Sequence, residues 1–139
     1  YIGAPAIYYG DEVGMVGEGD PDCRRAMMWE KEKWNRELFD FCKRLICMRK
    51  RYSALRTGSF ETLLVDNDKK LFAYKREDEK STIIVILNND LSDHEIELNV
   101  SEKGVFEDVL NDRKYELKDG KLPVLIEKIS GVILVKHSS

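Results

Sequence analysis

The second half of the chain alternates between apolar and polar side chains, the pattern of strands that bury one face. The alternation begins after Gly58 and is broken at short intervals by turns rich in Asp, Asn and Gly. Short strands of this kind are typical of an antiparallel sandwich or a small barrel. Eight strands are predicted: Ser59–Val65, Leu71–Lys75, Thr82–Asn88, His94–Asn99, Val105–Val109, Lys114–Leu117, Lys121–Ile126 and Val132–Lys136.

One turn in this region has a specific signature. Asp119 and Gly120 form the dipeptide that most strongly indicates a tight hairpin. The sequence therefore predicts a hairpin between Tyr115–Leu117 and Leu122–Ile126.

The first half of the chain follows a different pattern. Ala6–Tyr9 is a short apolar, aromatic run of the kind found in strands buried on both faces. Residues 11–30 are rich in Gly and acidic residues and predict a long irregular loop, which is usually functional. A helix follows from Asn35, which can cap it, to Arg51. Its apolar side chains recur at three- and four-residue spacing: Leu38, Phe41, Cys42, Leu45, Ile46 and Tyr52.

Strand, irregular loop and helix together form the layout of a βα unit, in which the loop lies at the carboxyl end of the strand. Folds of this class build their sites in such loops. The predicted fold class is therefore mainly β, an antiparallel β-sandwich preceded by one strand–loop–helix unit. The predicted domains are residues 1–57 and 58–139.

Charge limits the classes of partner. The 139 residues carry 23 basic and 26 acidic side chains, a net charge of −3. Only residues 30–56 are basic, with 9 basic and 4 acidic groups, and we interpret them as a solvated helix face that complements the helix dipole. Neither nucleic acid nor a membrane is an expected partner. No signal-peptide pattern is present at the start of the sequence.

The cysteines do not form a metal-binding pattern. Cys23, Cys42 and Cys47 have no zinc-site spacing, and the two histidines, His94 and His137, lie far away in sequence. On one helix, Cys42 and Cys47 would lie about 7.5 Å apart along the axis, too far for a relaxed disulfide. We predict no metal, no cofactor and three reduced, buried or neutral thiols, which favours the cytoplasm.

Four residues of the loop could carry chemistry. Asp11 and Glu12 follow the predicted strand directly, where a catalytic carboxylate could lie, although one of two such residues commonly caps the loop. Asp20 and Arg24 could form a salt bridge, or could together present an acceptor and a donor fork to a hydroxylated ligand. Neighbouring side chains could form a stacking surface or fill a core: Tyr8, Tyr9, Met15, Met27, Met28 and Trp29.

The loop sequence resembles a known family. The string GAPAIYYGDEVGMVGEGDPDCRRAMMW, residues 3–29, is similar to the end of the catalytic barrel in the alpha-amylase family of glycoside hydrolases. It is most similar to the neopullulanase, cyclomaltodextrinase and maltogenic amylase subgroup. Residues 45–58 resemble the last barrel helix and its exit into the C-terminal domain. The rest of the chain fits that family's antiparallel C-terminal sandwich by architecture.

The resemblance implies that Ala6–Tyr9 is the eighth strand of a (β/α)8 barrel, Asp11–Trp29 the loop over the active site and Asn35–Arg51 the eighth helix. The family uses a retaining mechanism with an Asp nucleophile, a Glu acid/base and a second Asp, all on earlier strands. The catalytic acids are therefore expected upstream of Tyr1, so no catalytic residue is assigned here. The 139 residues are expected to be an inactive C-terminal part of a glycosidase.

The resemblance also implies a binding role for two residues. Asp20 and Arg24 match the Asp-Pro-x-x-Arg stretch that contacts a donor-side glucose hydroxyl in the family. The expected partner is an alpha-glucan or cyclodextrin bound by the parent protein, and the exposed barrel remnant is expected to promote self-association. Asp11 and Glu12 match the family's strand-end acidic positions and are interpreted as architectural.

Two alternatives remain: a carbohydrate-binding sandwich and a purely structural module. A binding sandwich needs exposed aromatic side chains on one sheet face. The aromatic residues of the second half are expected mostly to face inward: Phe60, Phe72, Tyr74, Phe106 and Tyr115.

Overall fold

The computed structural model describes residues 1–101 and 103–137. Residues 102, 138 and 139, which belong to the predicted second domain, lie outside the described residues. The chain divides into two compact units. One, the β unit, comprises Tyr1–Ile2 and the chain from Ser53 onward. The other, the loop–helix unit, is Gly3–Tyr52.

The β unit contains a short helix and two antiparallel sheets. Helix α2 (Ala54–Thr57) precedes eight strands. Six of them form one sheet in the order β1-β2-β3-β8-β5-β6, and β4 and β7 form the second sheet. The strands are β1 Ser59–Asp66, β2 Leu71–Glu77, β3 Ser81–Asn88, β4 His94–Asn99, β5 Val105–Asp108, β6 Arg113–Glu116, β7 Lys121–Ile126 and β8 Ser130–His137. The predicted eight strands and the mainly β fold class with antiparallel sheets are therefore confirmed.

The core of the β unit lies between the two sheets. Alternate residues of each strand point into it, as the period of a pleated strand requires. Phe106 is its largest fully buried side chain. The other members come from five strands: Leu71, Ala73, Ile84, Ile86, Leu98, Leu122, Val124, Ile126, Val132 and Leu134.

The turn at Asp119-Gly120 forms, but the hairpin that it predicts does not. Both residues have positive φ, 51° and 79°, and Lys118 and Lys121 exchange two main-chain hydrogen bonds across the turn. Beyond that bridge, β6 pairs with β5 and β7 pairs with β4. The dipeptide fixes the local reversal, whereas the partner of each strand depends on which sheet buries its apolar face.

Three of the five aromatic side chains that were expected to face inward do not. Phe106 is in the core and Tyr115 packs against it. Phe72 and Tyr74 alternate with the core residues Leu71 and Ala73, and therefore lie on the opposite face of the sheet, together with Phe60. The expectation that most of the five face the inter-sheet core is therefore wrong, although Tyr74 is buried on the opposite face, because aromatic character does not decide which face of a strand a side chain occupies.

The loop–helix unit contains one long helix. Helix α1 (Arg36–Arg51) begins as predicted after Asn35, whose side chain accepts a hydrogen bond from the main-chain N–H of Leu38 at 3.0 Å. Three basic residues in its last turn complement the helix dipole. No residue of α1 is fully buried, so its apolar stripe contributes little to a core of this unit.

The strand predicted over Ala6–Tyr9 does not form among the described residues. Residues 6–9 form neither a strand nor a bridge, and Ile7, Tyr8 and Tyr9 are exposed. A strand buried on both faces needs a hydrogen-bonded neighbour on each edge. No strand of residues 1–101 or 103–137 pairs with this segment.

The cysteines are free, as predicted. Cys42 is half-buried, whereas Cys23 and Cys47 are exposed, so burial protects at most one of the three thiols. Among the described residues, no helix has both the length and the apolar character that crossing a bilayer requires. Within the same residues, no three His, Cys, Asp or Glu side chains form a group that could hold a metal ion.

Candidate functional site

A tight 3₁₀ turn, Asp11–Val13, begins the loop that carries the candidate residues. Gly10 precedes it with φ of 96°, and a Cβ at Gly10 would lie 2.7 Å from the Sδ of Met15. Glycine is favoured at this position, because other residues are strained at this backbone angle and a Cβ would require the Met15 side chain to shift. Val13 is buried, and its carbonyl accepts a hydrogen bond from the main-chain N–H of Asn35 at 3.0 Å. The start of the loop is thereby joined to the start of α1.

The carboxylate of Glu12 stabilises the backbone of this turn. Its Oε2 accepts a hydrogen bond from the main-chain N–H of Gly10 at 2.9 Å. The main-chain N–H of Asp11 donates to the carbonyl of Tyr8 at 3.1 Å. The first contact supports an architectural role for Glu12, because its carboxylate stabilises the backbone of the turn. The same role for the Asp11 carboxylate stays a prediction.

The structure brings Asp20 and Arg24 together on the surface of the loop. The Nη2 of Arg24 donates to the Oδ2 of Asp20 at 2.9 Å. The Asp20 and Arg24 side chains are 59% and 69% exposed, so the ion pair contributes little to stability. Within the part of the chain that the structure describes, this is their one side-chain hydrogen bond, and a ligand can reach the remaining donor and acceptor positions.

A second ion pair in the same loop was not predicted. The Nε and Nη2 of Arg25 donate to the two carboxylate oxygens of Asp22 at 2.8 and 2.7 Å. The main-chain N–H of Glu18 also donates to Asp22, at 2.8 Å. The Arg25 guanidinium, helped by this N–H, holds the pKa of Asp22 below its usual range. The i,i+3 spacing signals such a pair, but the sequence alone does not show which arginine meets which aspartate.

The two ion pairs differ in what they can do. The Asp22–Arg25 pair is bidentate, and the carbonyl of Arg25 also accepts a hydrogen bond from the hydroxyl of Tyr9 at 2.9 Å. This pair therefore stabilises the loop conformation. The Asp20–Arg24 pair makes a single contact and presents a carboxylate beside a guanidinium. Sugar hydroxyls donate and accept hydrogen bonds, so two such partners can orient one ring.

Methionine and tryptophan side chains hold the far end of the loop. The main-chain N–H of Met28 contacts the Sδ of Met15 at 3.4 Å, and its carbonyl accepts a hydrogen bond from the Nε1 of Trp34 at 2.7 Å. Met15 and Met28 are half-buried, in keeping with a packing role. Trp29 is exposed, and the rings of Tyr8 and Tyr9 contact each other with centroids 4.7 Å apart.

The fold and the loop define a class of protein: an antiparallel β-sandwich preceded in the chain by a structured loop that carries two ion pairs. The model of the family described as Maltogenic Amylase, C-terminal domain, matches residues 60–133. The chain belongs to this family. The resemblance to the alpha-amylase family of glycoside hydrolases is thereby confirmed.

Similarity to individual proteins extends across both units. The chain is 51% identical over 102 residues to a cyclomaltodextrinase of Thermoanaerobacter pseudethanolicus, covering 73% of this chain and 17% of that protein. It is 39% identical over 136 residues to neopullulanase 2 of Thermoactinomyces vulgaris, covering 96% of this chain and 23% of the relative. A solved cyclomaltodextrinase structure matches with a TM-score of 0.87 and 33% identity, covering 96% of this chain and 24% of that one. The chain thus spans about a fifth of the length of these relatives.

Proposed function

We propose that this chain is the C-terminal part of an alpha-amylase-family glycosidase. The parent protein hydrolyses alpha-glucosidic bonds in cyclodextrin, pullulan or starch-type glucans by a retaining mechanism. The main support is the similarity to neopullulanase 2, which spans 96% of the chain and so includes the loop as well as the sandwich. A sandwich with an unrelated partner domain would not require similarity on both sides of Gly58.

The proposed domain organisation follows from the same similarity. Residues 1–57 are the last strand, loop and helix of a (β/α)8 barrel, and residues 58–139 are the C-terminal sandwich. In the parent protein, earlier barrel strands supply the neighbours that Ala6–Tyr9 needs in order to pair. The loop then lies at the carboxyl end of that strand, where barrel enzymes build their sites.

In this proposal Asp20 and Arg24 bind substrate. Their ion pair is exposed and makes a single 2.9 Å contact, so the pair can open to accept a sugar hydroxyl between a carboxylate and a guanidinium. The neighbouring bidentate Asp22–Arg25 pair holds the loop while it does so. The rigid pair supplies preorganisation and the exposed pair supplies recognition.

The groups that transfer protons lie elsewhere in the parent protein. A retaining glycosidase needs one carboxylic acid with a raised pKa and a second carboxylate as nucleophile. In this loop the pKa of Asp22 is lowered instead, and Glu12 is engaged with the main chain of Gly10. The 139-residue chain is therefore proposed to be inactive by itself and to need no cofactor or metal. Its three free cysteines favour a cytoplasmic location.

Kinetics of the full-length parent test the binding role. Asp20→Ala and Arg24→Ala should each lower kcat/KM for a cyclodextrin or linear glucan. The loss should correspond to about 1–3 kcal/mol of transition-state stabilisation, the effect of leaving a buried polar group of the complex unpaired. The matched control is Lys33→Ala. It breaks an equally exposed i,i+3 ion pair with Glu30 in the same unit and should leave kcat/KM unchanged.

Two results would contradict the proposal. Unchanged kinetics in both the Asp20→Ala and Arg24→Ala variants would remove these residues from the site. Clear glucan hydrolysis by the purified 139-residue chain, with host amylases excluded, would show that the catalytic groups are present in this chain.

A second candidate function, a carbohydrate-binding sandwich, is favoured by the aromatic cluster outside the core. Phe60, Phe72 and Tyr74 lie together with Tyr1, with ring centroids 5.2–6.5 Å apart. Tyr74 is buried, whereas both phenylalanines are half-buried and Tyr1 is exposed, so part of the aromatic surface stays accessible to a sugar ring. Calorimetric titration of the 139-residue chain with maltoheptaose discriminates between the candidates, because binding that Phe72→Ala abolishes would favour the sandwich.

A further inference from the structure

Arg76 is a buried cation whose hydrogen-bond partners are main-chain carbonyl groups. It lies on β2 between Phe60 of β1 and Ile83 of β3, and it is 2% exposed. Its guanidinium donates four hydrogen bonds: Nε to the carbonyl of Ser59 at 2.8 Å, Nη1 to those of Tyr1 and Leu55 at 3.1 and 3.3 Å, and Nη2 to that of Gly58 at 3.0 Å.

This arrangement depends on the shape of the guanidinium as well as on its charge. Burying a charge is unfavourable unless hydrogen bonds compensate for the lost water. The guanidinium carries five N–H donors in a planar fork, so it can meet carbonyls that approach from several directions. A lysine at position 76 would keep the charge but would carry its three donors on a single nitrogen. We therefore expect that lysine cannot replace Arg76.

The four carbonyls belong to two segments that are distant in sequence. One segment is Tyr1–Ile2, and the other is the junction from α2 to β1, residues 55–59. The last carbonyls of a helix have no partner within it, and a cation placed near them is favourable. The junction also packs tightly on β2, because a Cβ at Gly58 would lie 2.6 Å from the carbonyl oxygen of Glu77.

Tyr1 has a second set of contacts, with β1 and β2. Its main-chain nitrogen donates to the hydroxyl of Tyr74 at 2.9 Å. Its ring meets those of Phe60 and Tyr74 edge-on, with centroids 5.2 and 6.0 Å away, a geometry that aromatic quadrupoles favour. Tyr1 is thus held through its main chain by Arg76 and through its ring by the aromatic cluster.

The two segments are the points at which the loop–helix unit joins the β unit. The chain leaves the β unit after Ile2 and returns to it at Ser53. We propose that Arg76 is a positioning residue, a clasp that fastens these two connecting segments to each other. The clasp therefore fixes the two ends of the loop–helix unit, which carries Asp20 and Arg24. This last consequence rests on the proposed function.

The clasp is tested first in the unaltered 139-residue chain by nuclear magnetic resonance. The Nε–H proton of Arg76 should exchange with water about tenfold or more slowly than that of Arg113, because breaking charged, buried hydrogen bonds is unfavourable. Arg113 is the matched control, an arginine of β6 that is half exposed and paired with Glu127. Equal exchange rates would overturn the proposal without requiring any variant to fold.

Variants of Arg76 test whether this residue holds Tyr1 in place. Arg76→Met and Arg76→Lys should both abolish the nuclear Overhauser effects between the rings of Tyr1 and Phe60, whereas Arg113→Met should preserve them. Persistence of these effects in Arg76→Met would show that the aromatic cluster holds Tyr1 without the clasp, and would overturn the proposal. Their persistence in Arg76→Lys alone would show that charge suffices, and would overturn the role of the fork.

The functional consequence is tested in the full-length parent. Arg76→Met should raise KM for glucan several-fold with kcat nearly unchanged, and Arg113→Met should alter neither. If Asp20→Ala raises KM but Arg76→Met does not, the positioning role is overturned and the proposed function stands. If Asp20→Ala also leaves KM unchanged, the proposed function fails. The positioning role of Arg76 is then tested only by its Nε–H exchange rate and by the Tyr1–Phe60 nuclear Overhauser effects.

Discussion

The two units use their apolar side chains in opposite ways. In the β unit, Ile84, Ile86, Phe106 and Leu134 are completely buried between two sheets. In the loop–helix unit, all of whose residues are described, the buried large apolar side chains are Val13 and Tyr52. The comparison teaches that an apolar pattern yields a core only where the same chain also supplies the surface that covers it.

Hydrogen bonds and ion pairs take the place of a core in the loop–helix unit. Arg49 donates to the carbonyl of Gly3 at 2.6 Å, and the main chain of Asn35 donates to that of Val13. Each such bond contributes only about 0.5–1.5 kcal/mol net. We therefore expect the β unit to set the global stability and the loop–helix unit to open locally at lower free energy.

Truncating one apolar side chain in each unit should give the largest contrast. Ile84→Ala removes a fully buried core side chain and should lower the free energy of unfolding by about 2–5 kcal/mol. Leu45→Ala on α1 removes a side chain that is partly exposed and should cost below about 1 kcal/mol. Urea unfolding followed by circular dichroism measures both. Equal costs would contradict the difference between the units.

Replacing one glycine by alanine in each unit should give a smaller difference in stability between the two units. A Cβ at Gly58 would lie 2.6 Å from the carbonyl oxygen of Glu77 and 2.7 Å from that of Ala54. Gly58→Ala should therefore destabilise the β unit by about 1–3 kcal/mol, as overpacking does. At Gly19, in the loop, a Cβ would meet no atom within 4 Å. Gly19→Ala should be close to neutral in the same thermal or urea measurement, and an equal loss in both variants would refute the steric explanation.

Acid titration should give the smallest effect. The hydroxyl of Ser53 donates to Asp78, as do the main-chain N–H groups of Lys80 and Ser81, and these bonds lower the pKa of Asp78. A carboxyl with a lowered folded-state pKa stabilises the fold above its unfolded value of about 3.9. That stabilisation is lost as the pH falls through the folded-state pKa. Asp78→Asn should flatten the dependence of the unfolding free energy on pH as the pH falls below about 5.

The corresponding change in the loop is the control for acid titration. The pKa of Asp22 is also lowered, mainly by Arg25, but this carboxylate lies in the unit that does not set global stability. Asp22→Asn should therefore leave the pH dependence of global unfolding unaltered. If Asp22→Asn flattened it as much as Asp78→Asn, the two units would unfold as one.

The sequence was sufficient to predict the positions of those helices and strands whose partners lie within the chain. Period-two alternation located all eight strands because each has one face against the inter-sheet core, and Asn35 marked the start of α1 because its side chain bonds to the main chain of Leu38. Over Ala6–Tyr9 the same reasoning stays a prediction, because the apolar run has no partner strand in the described chain. The reasoning failed to place Phe60, Phe72 and Tyr74, since the composition of a strand does not show which face meets the core.

The candidate site was accessible to sequence reasoning only in part. The spacing of Asp20 and Arg24 predicted that the two could meet, and they do. The bidentate Asp22–Arg25 pair was missed, because four charged residues within six positions allow several pairings and only the backbone conformation selects among them. Arg76 has no sequence signature at all, since its partners are carbonyl groups that any residue could supply.

Native-state hydrogen exchange of the 139-residue chain tests the difference between the two units most directly. We predict that amides of β3 and β8 exchange only through global unfolding, whereas those of Ala6–Tyr9 exchange at nearly the rate of an unstructured peptide. Protection of Ala6–Tyr9 in a monomer equal to that of β3 would contradict it, because this segment would then have a paired strand within the chain itself.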